Sequence, residues 1–137
     1  MHAVTTACYN GGVADRRAGW GFAVARGRSM EPTLRDGDRL LVRWFGAGGA
    51  REPAPGSVVV VRLPGGRPVA VKRLLTRRPE GWWVERDNPA EGVDSWQVGA
   101  VADDGLLGVA RWRVWPRPGR LRPAPPAAPP PVSGSAP

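Results

Sequence analysis

Apolar and polar positions follow a period of two along most of the central part of the chain. Over residues 18–26, Trp20, Phe22 and Val24 fall on one side and Gly21, Ala23 and Ala25 on the other, the pattern of a half-buried strand. Gly27-Arg28-Ser29 breaks it, and Pro32 suits the first position of a single helical turn over residues 32–35. Asp36-Gly37-Asp38 reads as a turn, and residues 39–45 as the next strand. A glycine- and proline-rich loop is expected over residues 46–56. Val58 to Val61 are four consecutive β-branched residues without alternation, which predicts a strand buried on both faces. Pro64-Gly65-Gly66-Arg67 turns the chain into a partner strand over residues 68–76, where Val69, Val71 and Arg73 share one face and Ala70, Lys72 and Leu74 the other. A turn over residues 78–81, a short strand over 82–85, a polar loop over 86–95, a strand over 96–101, a turn at Asp103-Asp104-Gly105 and a last strand over 106–115 complete the reading. Six to eight short strands with tight turns and little helix predict a mostly β domain of antiparallel strands.

The two ends depart from this pattern. Residues 1–17 read as a flexible lead-in, and residues 116–137, which hold nine of the 16 prolines, as a disordered tail. The domain then spans residues 18–115, enough for one modest core.

The formal charge is +8, from 19 arginines and one lysine against 12 acidic residues. Such a balance suits nucleic acid or another anionic partner. The arginines are scattered singly or in pairs, with no basic run, so no nucleic-acid partner is expected. Cys8 is the single cysteine, which excludes an intrachain disulfide and a cysteine-clustered metal site. No apolar run approaches the ~20 residues of a membrane span, and residues 1–17 lack the apolar core of a signal peptide. A cytoplasmic protein with no cofactor, no metal and no membrane span is expected.

The candidate chemistry follows by elimination. The one histidine, His2, lies in the lead-in, so a Ser–His–Asp triad or a Cys–His pair lacks its base. Zinc lacks ligands. The one lysine, Lys72, is followed by Arg73, so there is no Gly-Lys-Ser/Thr phosphate loop. Serine with lysine remains. A hydroxyl needs a base to become a nucleophile, and arginine stays protonated. Lysine ordinarily titrates near ~10.4, whereas a working base lies nearer ~7–8; closing that gap takes about 4 kcal/mol of ammonium destabilisation, which burial among apolar side chains supplies. Lys72, in an apolar strand of a chain that otherwise uses arginine, fits that base, and Ser29, in the loop between two strands, fits the nucleophile. The competing readings are a snorkelling surface lysine and a serine that merely caps the turn.

Three ordered motifs resemble those of type I signal peptidases. Gly27-Arg28-Ser29-Met30-Glu31-Pro32-Thr33-Leu34, with Gly37-Asp38-Arg39-Leu40-Leu41-Val42, is similar to their serine box; Val71-Lys72-Arg73-Leu74 to their lysine box; and Asp87-Asn88-Pro89 with Asp94-Ser95 to their last motif. Within that superfamily the chain resembles the maturation proteases of nickel-type superoxide dismutase, through Gly81-Trp82-Trp83-Val84 and Trp112-Arg113-Val114-Trp115-Pro116-Arg117-Pro118. The resemblance implies a signal-peptidase-like core, a small barrel or coiled sheet, and a peptidase that removes the leader of a nickel superoxide dismutase precursor. It implies Ser29 as nucleophile and Lys72 as general base. The Ser29 backbone N–H would serve the oxyanion, Met30 would line the cleft, and Asp87 and Asp94 would hold the loop beside the base.

The chain departs from the motifs at four places. Gly92 stands where a serine orients the lysine, Trp96 where an arginine is expected, Arg86 where a glycine is expected, and Gly27 where many signal peptidases carry an oxyanion-donating serine. Ser95 or a water is therefore expected to orient Lys72, with backbone donors at the oxyanion site. Three alternatives stand beside this reading. One is a general signal peptidase without its anchor, and another an SOS-repressor-like autoprotease, for which no DNA-binding domain and no self-cleavage site are evident. The last is a non-catalytic β domain that binds peptide or nucleic acid.

Overall fold

A computed structural model describes residues 4–5, 19–46 and 52–123. Eight strands are present among them: β1 (Val4–Thr5), β2 (Gly19–Ala25), β3 (Arg39–Trp44), β4 (Val58–Arg62), β5 (Val69–Arg78), β6 (Gly81–Glu85), β7 (Leu106–Trp115) and β8 (Gly119–Arg120). A one-turn helix, α1 (Ser95–Val98), and a 3-10 turn (Asp103–Gly105) lie between β6 and β7. The strands form one antiparallel sheet in the order β1-β2-β3-β7-β4-β5-β6, with β8 beside the far end of β7. The sheet curls into a half-barrel. The mostly β class expected from the alternation is the class observed.

Strand β7 is the seam. Its first half pairs with β4 through Val109↔Val59 and Gly108↔Val60, while Gly108 to Trp115 runs along β3, from Gly108↔Trp44 to Trp115↔Arg39. Two register shifts along β3–β7 bend the sheet there. Gly108 permits this crossing, because a Cβ there would lie 2.7 Å from the Arg43 carbonyl oxygen.

The four valines explain how the core is divided. Val58 and Val60 join Ala23, Leu40, Val42, Trp44, Val71 and Leu107 on one side of the sheet. Val59 and Val61 join Phe45, Leu74, Trp82, Val84, Leu106 and Val109 on the other. All four are buried, as the missing alternation predicts. Each fully buried valine contributes about 1.5–3 kcal/mol, so this one strand anchors both layers. Met30 and Leu34, from the loop after β2, plug the first layer.

Five local expectations are corrected. Residues 96–101 do not form a strand. Asp94 caps the helix α1 through Trp96 N–H, and Gln97 returns the bond to the Asp94 backbone, a reciprocal cap that outweighs the β-propensity of Trp96 and Val98; only Val101 bridges to Trp82. The helical turn after Ser29 begins at Met30, whose carbonyl accepts the Leu34 N–H, instead of at Pro32. Strand β5 runs on through Arg78, because Arg77 and Arg78 pair with Trp82 and Gly81. The fold does not end at residue 115: Gly119 and Arg120 pair back onto Arg113 and Trp112, and Leu121 packs against the core. Within the segment expected as a lead-in, Val4 and Thr5 pair with Ala25 and Val24. His2, Cys8 and the expected tail from residue 124 onward lie outside the described residues.

Candidate active site

The loop carrying Ser29 is tied at its base and along its length. Ala25 N–H donates to the Asp38 carbonyl and Gly37 N–H to the Ala25 carbonyl, closing the loop where β2 leaves and β3 begins. Gly27 adopts φ +86°, which suits a residue without a Cβ, and its N–H donates to Asp36 Oδ1. Inside the loop, Glu31 N–H reaches the Arg28 carbonyl. Asn88 fixes it from across the cleft: its backbone N–H donates to the Ser29 carbonyl at 2.8 Å and its Nδ2 to the Arg28 carbonyl at 3.0 Å. These bonds hold the peptide units on either side of Ser29 in one orientation.

Lys72 stands at the middle of β5, opposite Val59. Its side chain is completely buried, and its Nζ donates to Ser29 Oγ at 3.1 Å. Ser29 is itself only 3 % exposed. Burial drives the Lys72 amine down from its ordinary range to about 8, Asp94 opposes this by favouring the ammonium, and Arg86 reinforces it by repulsion. At this separation the same pair of atoms serves in either protonation state, since a neutral amine accepts the proton that the hydroxyl donates.

Arg73, the next residue along β5, turns to the other face and joins three segments. Its Nη2 meets Asp87 Oδ2 at 2.6 Å, its Nε donates to Asp87 Oδ1 at 3.2 Å, and its Nη1 donates to the Gly56 carbonyl at 2.8 Å. Thr33 Oγ1 donates to the same Asp87 carboxylate. The fork therefore locks β5, the Ser29 loop and the 86–88 segment together, so Lys72 and Ser29 share one scaffold.

The structure places the other expected site residues as follows. Met30 is buried and lines a small cavity at Ser29 with Ala25, Leu34 and Val71. Asp87 is held in the Arg73 fork. Asp94 accepts from the Arg86 and Trp96 backbone N–H groups. Ser95 Oγ accepts from Val84 N–H at 2.9 Å, and among the described residues the hydrogen-bond partner of Lys72 is Ser29. The structure thus brings Ser29, Met30 and Lys72 together and gives Ser95 a backbone partner on β6.

The departures from the motifs account for one another. Arg86 Nη1 donates to the Gly92 carbonyl, and Arg86 Nε lies 3.8 Å from Asp94. An arginine at the first position and no side chain at the second place a guanidinium where it acts on the Lys72 amine. Trp96 donates through Nε1 to Glu85 at 2.7 Å and packs edge-on to Trp83. Thr33, Arg73 and Asn88 all lie within the three motifs, yet their bonding is invisible in one dimension; the adjacency of Asn88 to Asp87 is the only local signal for it.

Among the described residues no helix is long and apolar enough to cross a membrane. No curated protein matches the chain. The Peptidase S24-like family model matches residues 8–106, a stretch that contains Ser29 and Lys72 and most of the sheet. That family lies in the superfamily that also includes signal peptidases, and it indicates a function of the serine-peptidase type. Matched over well more than half its length, this chain belongs to the Peptidase S24-like family.

Proposed function

We propose that the protein is a serine endopeptidase that uses a Ser29–Lys72 dyad, and that it removes the N-terminal leader of a precursor protein in the cytoplasm. The observation that carries this reading is the buried Lys72 amine 3.1 Å from Ser29 Oγ. In the first step Ser29 Oγ attacks the scissile carbonyl carbon and its proton passes to Lys72 Nζ. The Ser29 backbone N–H faces the developing oxyanion. Collapse breaks the C–N bond, and Nζ gives its proton to the leaving amine. Nζ then takes a proton from water, whose oxygen attacks the ester carbonyl; the C–Oγ bond breaks, and Ser29 Oγ regains its proton from Nζ. Asp94 steadies the ammonium while it exists, and Met30 shapes the wall beside the acyl group.

The precursor proposed is nickel superoxide dismutase, on the resemblance in Gly81-Trp82-Trp83-Val84 and the stretch from Trp112 to Pro118. The test is to incubate the purified protein with that precursor and read the product N-terminus by mass spectrometry. A single cut at the leader junction, absent with Ser29→Ala and with Lys72→Arg, is expected. Full cleavage by Lys72→Arg sinks the dyad. Cleavage of ordinary secretory precursors but not of this one replaces the substrate and keeps the chemistry.

A further inference from the structure

Strand β2 ends four residues before Ser29, and its last residue, Ala25, lines the cavity at that serine. Ala25 turns both its polar backbone groups toward the β3 side, donating to Asp38 and accepting from Gly37. Successive residues of a strand direct these groups to opposite edges. Val24 and Arg26 therefore present theirs to the other edge, which leads straight toward Ser29. An edge of this kind is a template for adding an extended peptide.

In this structure the chain's own residues use that edge. Val4 and Thr5 pair antiparallel with Ala25 and Val24, and this strand also lies beside β5, which carries Val71 and Lys72. The two-residue strand thus sits between the element that leads to the nucleophile and the one that holds the base. By the alternation above, Thr5↔Val24 is the pair that exchanges hydrogen bonds.

We propose that Val4–Thr5 is a displaceable strand of the chain's own that occupies the β2 edge at rest and competes there with an extended peptide. This rests on the Ser29–Lys72 peptidase reading. A ladder of two residues is short enough to be displaced, yet the segment is covalently attached and acts at an effective concentration of roughly millimolar. An incoming peptide must exchange for it, and its apparent Kd rises by the reciprocal of the fraction of time the edge is free.

The test uses the full chain carrying Ser29→Ala, so that binding is read without cleavage. The probe is a fluorescein-labelled peptide with the sequence of residues 1–7, and its Kd is measured by anisotropy. Thr5→Pro removes the backbone N–H that the pairing needs, whereas Thr5→Ala keeps it. The expected result is a Kd about tenfold lower with Thr5→Pro and unchanged with Thr5→Ala, consistent with losing one pair of backbone hydrogen bonds. The amide proton of Val24 is expected to exchange faster in the Thr5→Pro chain. Equal Kd values in all three chains, no binding to the Thr5→Pro chain, or Val24 exchange that Thr5→Pro leaves unchanged overturns the proposal. None of these readouts depends on cleavage, so the dyad stands or falls separately, on its own variants with the precursor.

Discussion

The Lys72 amine and the Ser29 hydroxyl oxygen lie 3.1 Å apart, and the lysine side chain is wholly buried. A charged amine in that position is poorly solvated, and a neutral one is a base already in contact with its proton donor. Lys72→Met keeps the volume and removes the amine. Cleavage is expected to fall by at least about a hundredfold. Stability at pH 7 is expected to rise, by about 3 kcal/mol at most, because the ammonium is no longer forced into an apolar site. Denaturant unfolding beside a cleavage assay checks both. A variant that is inactive and also less stable argues that Lys72 serves packing.

The acid–base behaviour has a definite direction. The amine titrates at about 8 in the folded chain, below its ordinary 10.5, because burial disfavours its charge. Cleavage is therefore expected to rise with pH and to level off above about 8. The unfolded chain holds this proton more tightly, so folding stability also rises as pH goes from about 8 toward 10.5, and the penalty is fully present below that window. Arg86 repels the ammonium and Asp94 attracts it. Arg86→Ala is expected to move the midpoint of the rate profile upward, read from kcat/KM between pH 6 and about 10. An unchanged midpoint would show that Arg86 does not tune the Lys72 amine.

Asp87 is held by two bonds to the Arg73 guanidinium, with both side chains nearly buried. Asp87→Ala leaves that guanidinium without its counter-charge and is expected to destabilise the fold by about 3 kcal/mol. Arg73→Lys cannot restore the fork, because a point ammonium does not span both carboxylate oxygens and the Gly56 carbonyl. Chemical denaturation of the two variants tests this; a change under about 0.5 kcal/mol for Asp87→Ala would place the pair with exposed ion pairs.

Much of the fold and the central pair of the site are legible in the sequence. The valine run predicts a strand buried on both faces, and Val58 to Val61 divide between the two core layers as that requires. The pairing of Ser29 with Lys72 follows from counting possible bases, because residue counts survive folding. Other features emerge only in three dimensions. Asp94 reads as a loop residue until its carboxylate is seen to cap α1. The tail reads as disordered from its prolines, yet Gly119 and Arg120 have a ready partner in β7. Gly92 reads as a lost serine, whereas its carbonyl is the acceptor for Arg86. Composition and periodicity report what each residue prefers; they do not report which carbonyl a side chain finds.

Ser95 illustrates the same limit, and its variant separates two roles. Its Oγ accepts the Val84 N–H at 2.9 Å in a buried setting. Ser95→Ala strands that donor and is expected to cost about 1–3 kcal/mol of stability. If the hydroxyl also orients Lys72, kcat falls as well at temperatures where the variant stays folded. A loss of stability with unchanged kcat leaves Ser95 as a backbone tie alone.

Asn88 is the residue whose effect on catalysis should exceed its effect on folding. Its side chain donates to the Arg28 carbonyl and its backbone N–H to the Ser29 carbonyl, so it sets the orientation of the peptide units around Ser29. Asn88→Ala deletes the first bond and the one that its Oδ1 accepts from Ala90 N–H, both exposed, and is expected to lower stability by about 1 kcal/mol. The serine loop then gains freedom, and misplacement of a nucleophile by a fraction of an ångström is enough to slow attack about tenfold. The β2 edge is untouched, so KM is expected to stay constant while kcat falls. Steady-state kinetics on the same precursor distinguish the outcomes: a rise in KM at constant kcat assigns Asn88 to substrate binding, and a fall in kcat alone assigns it to the posture of Ser29.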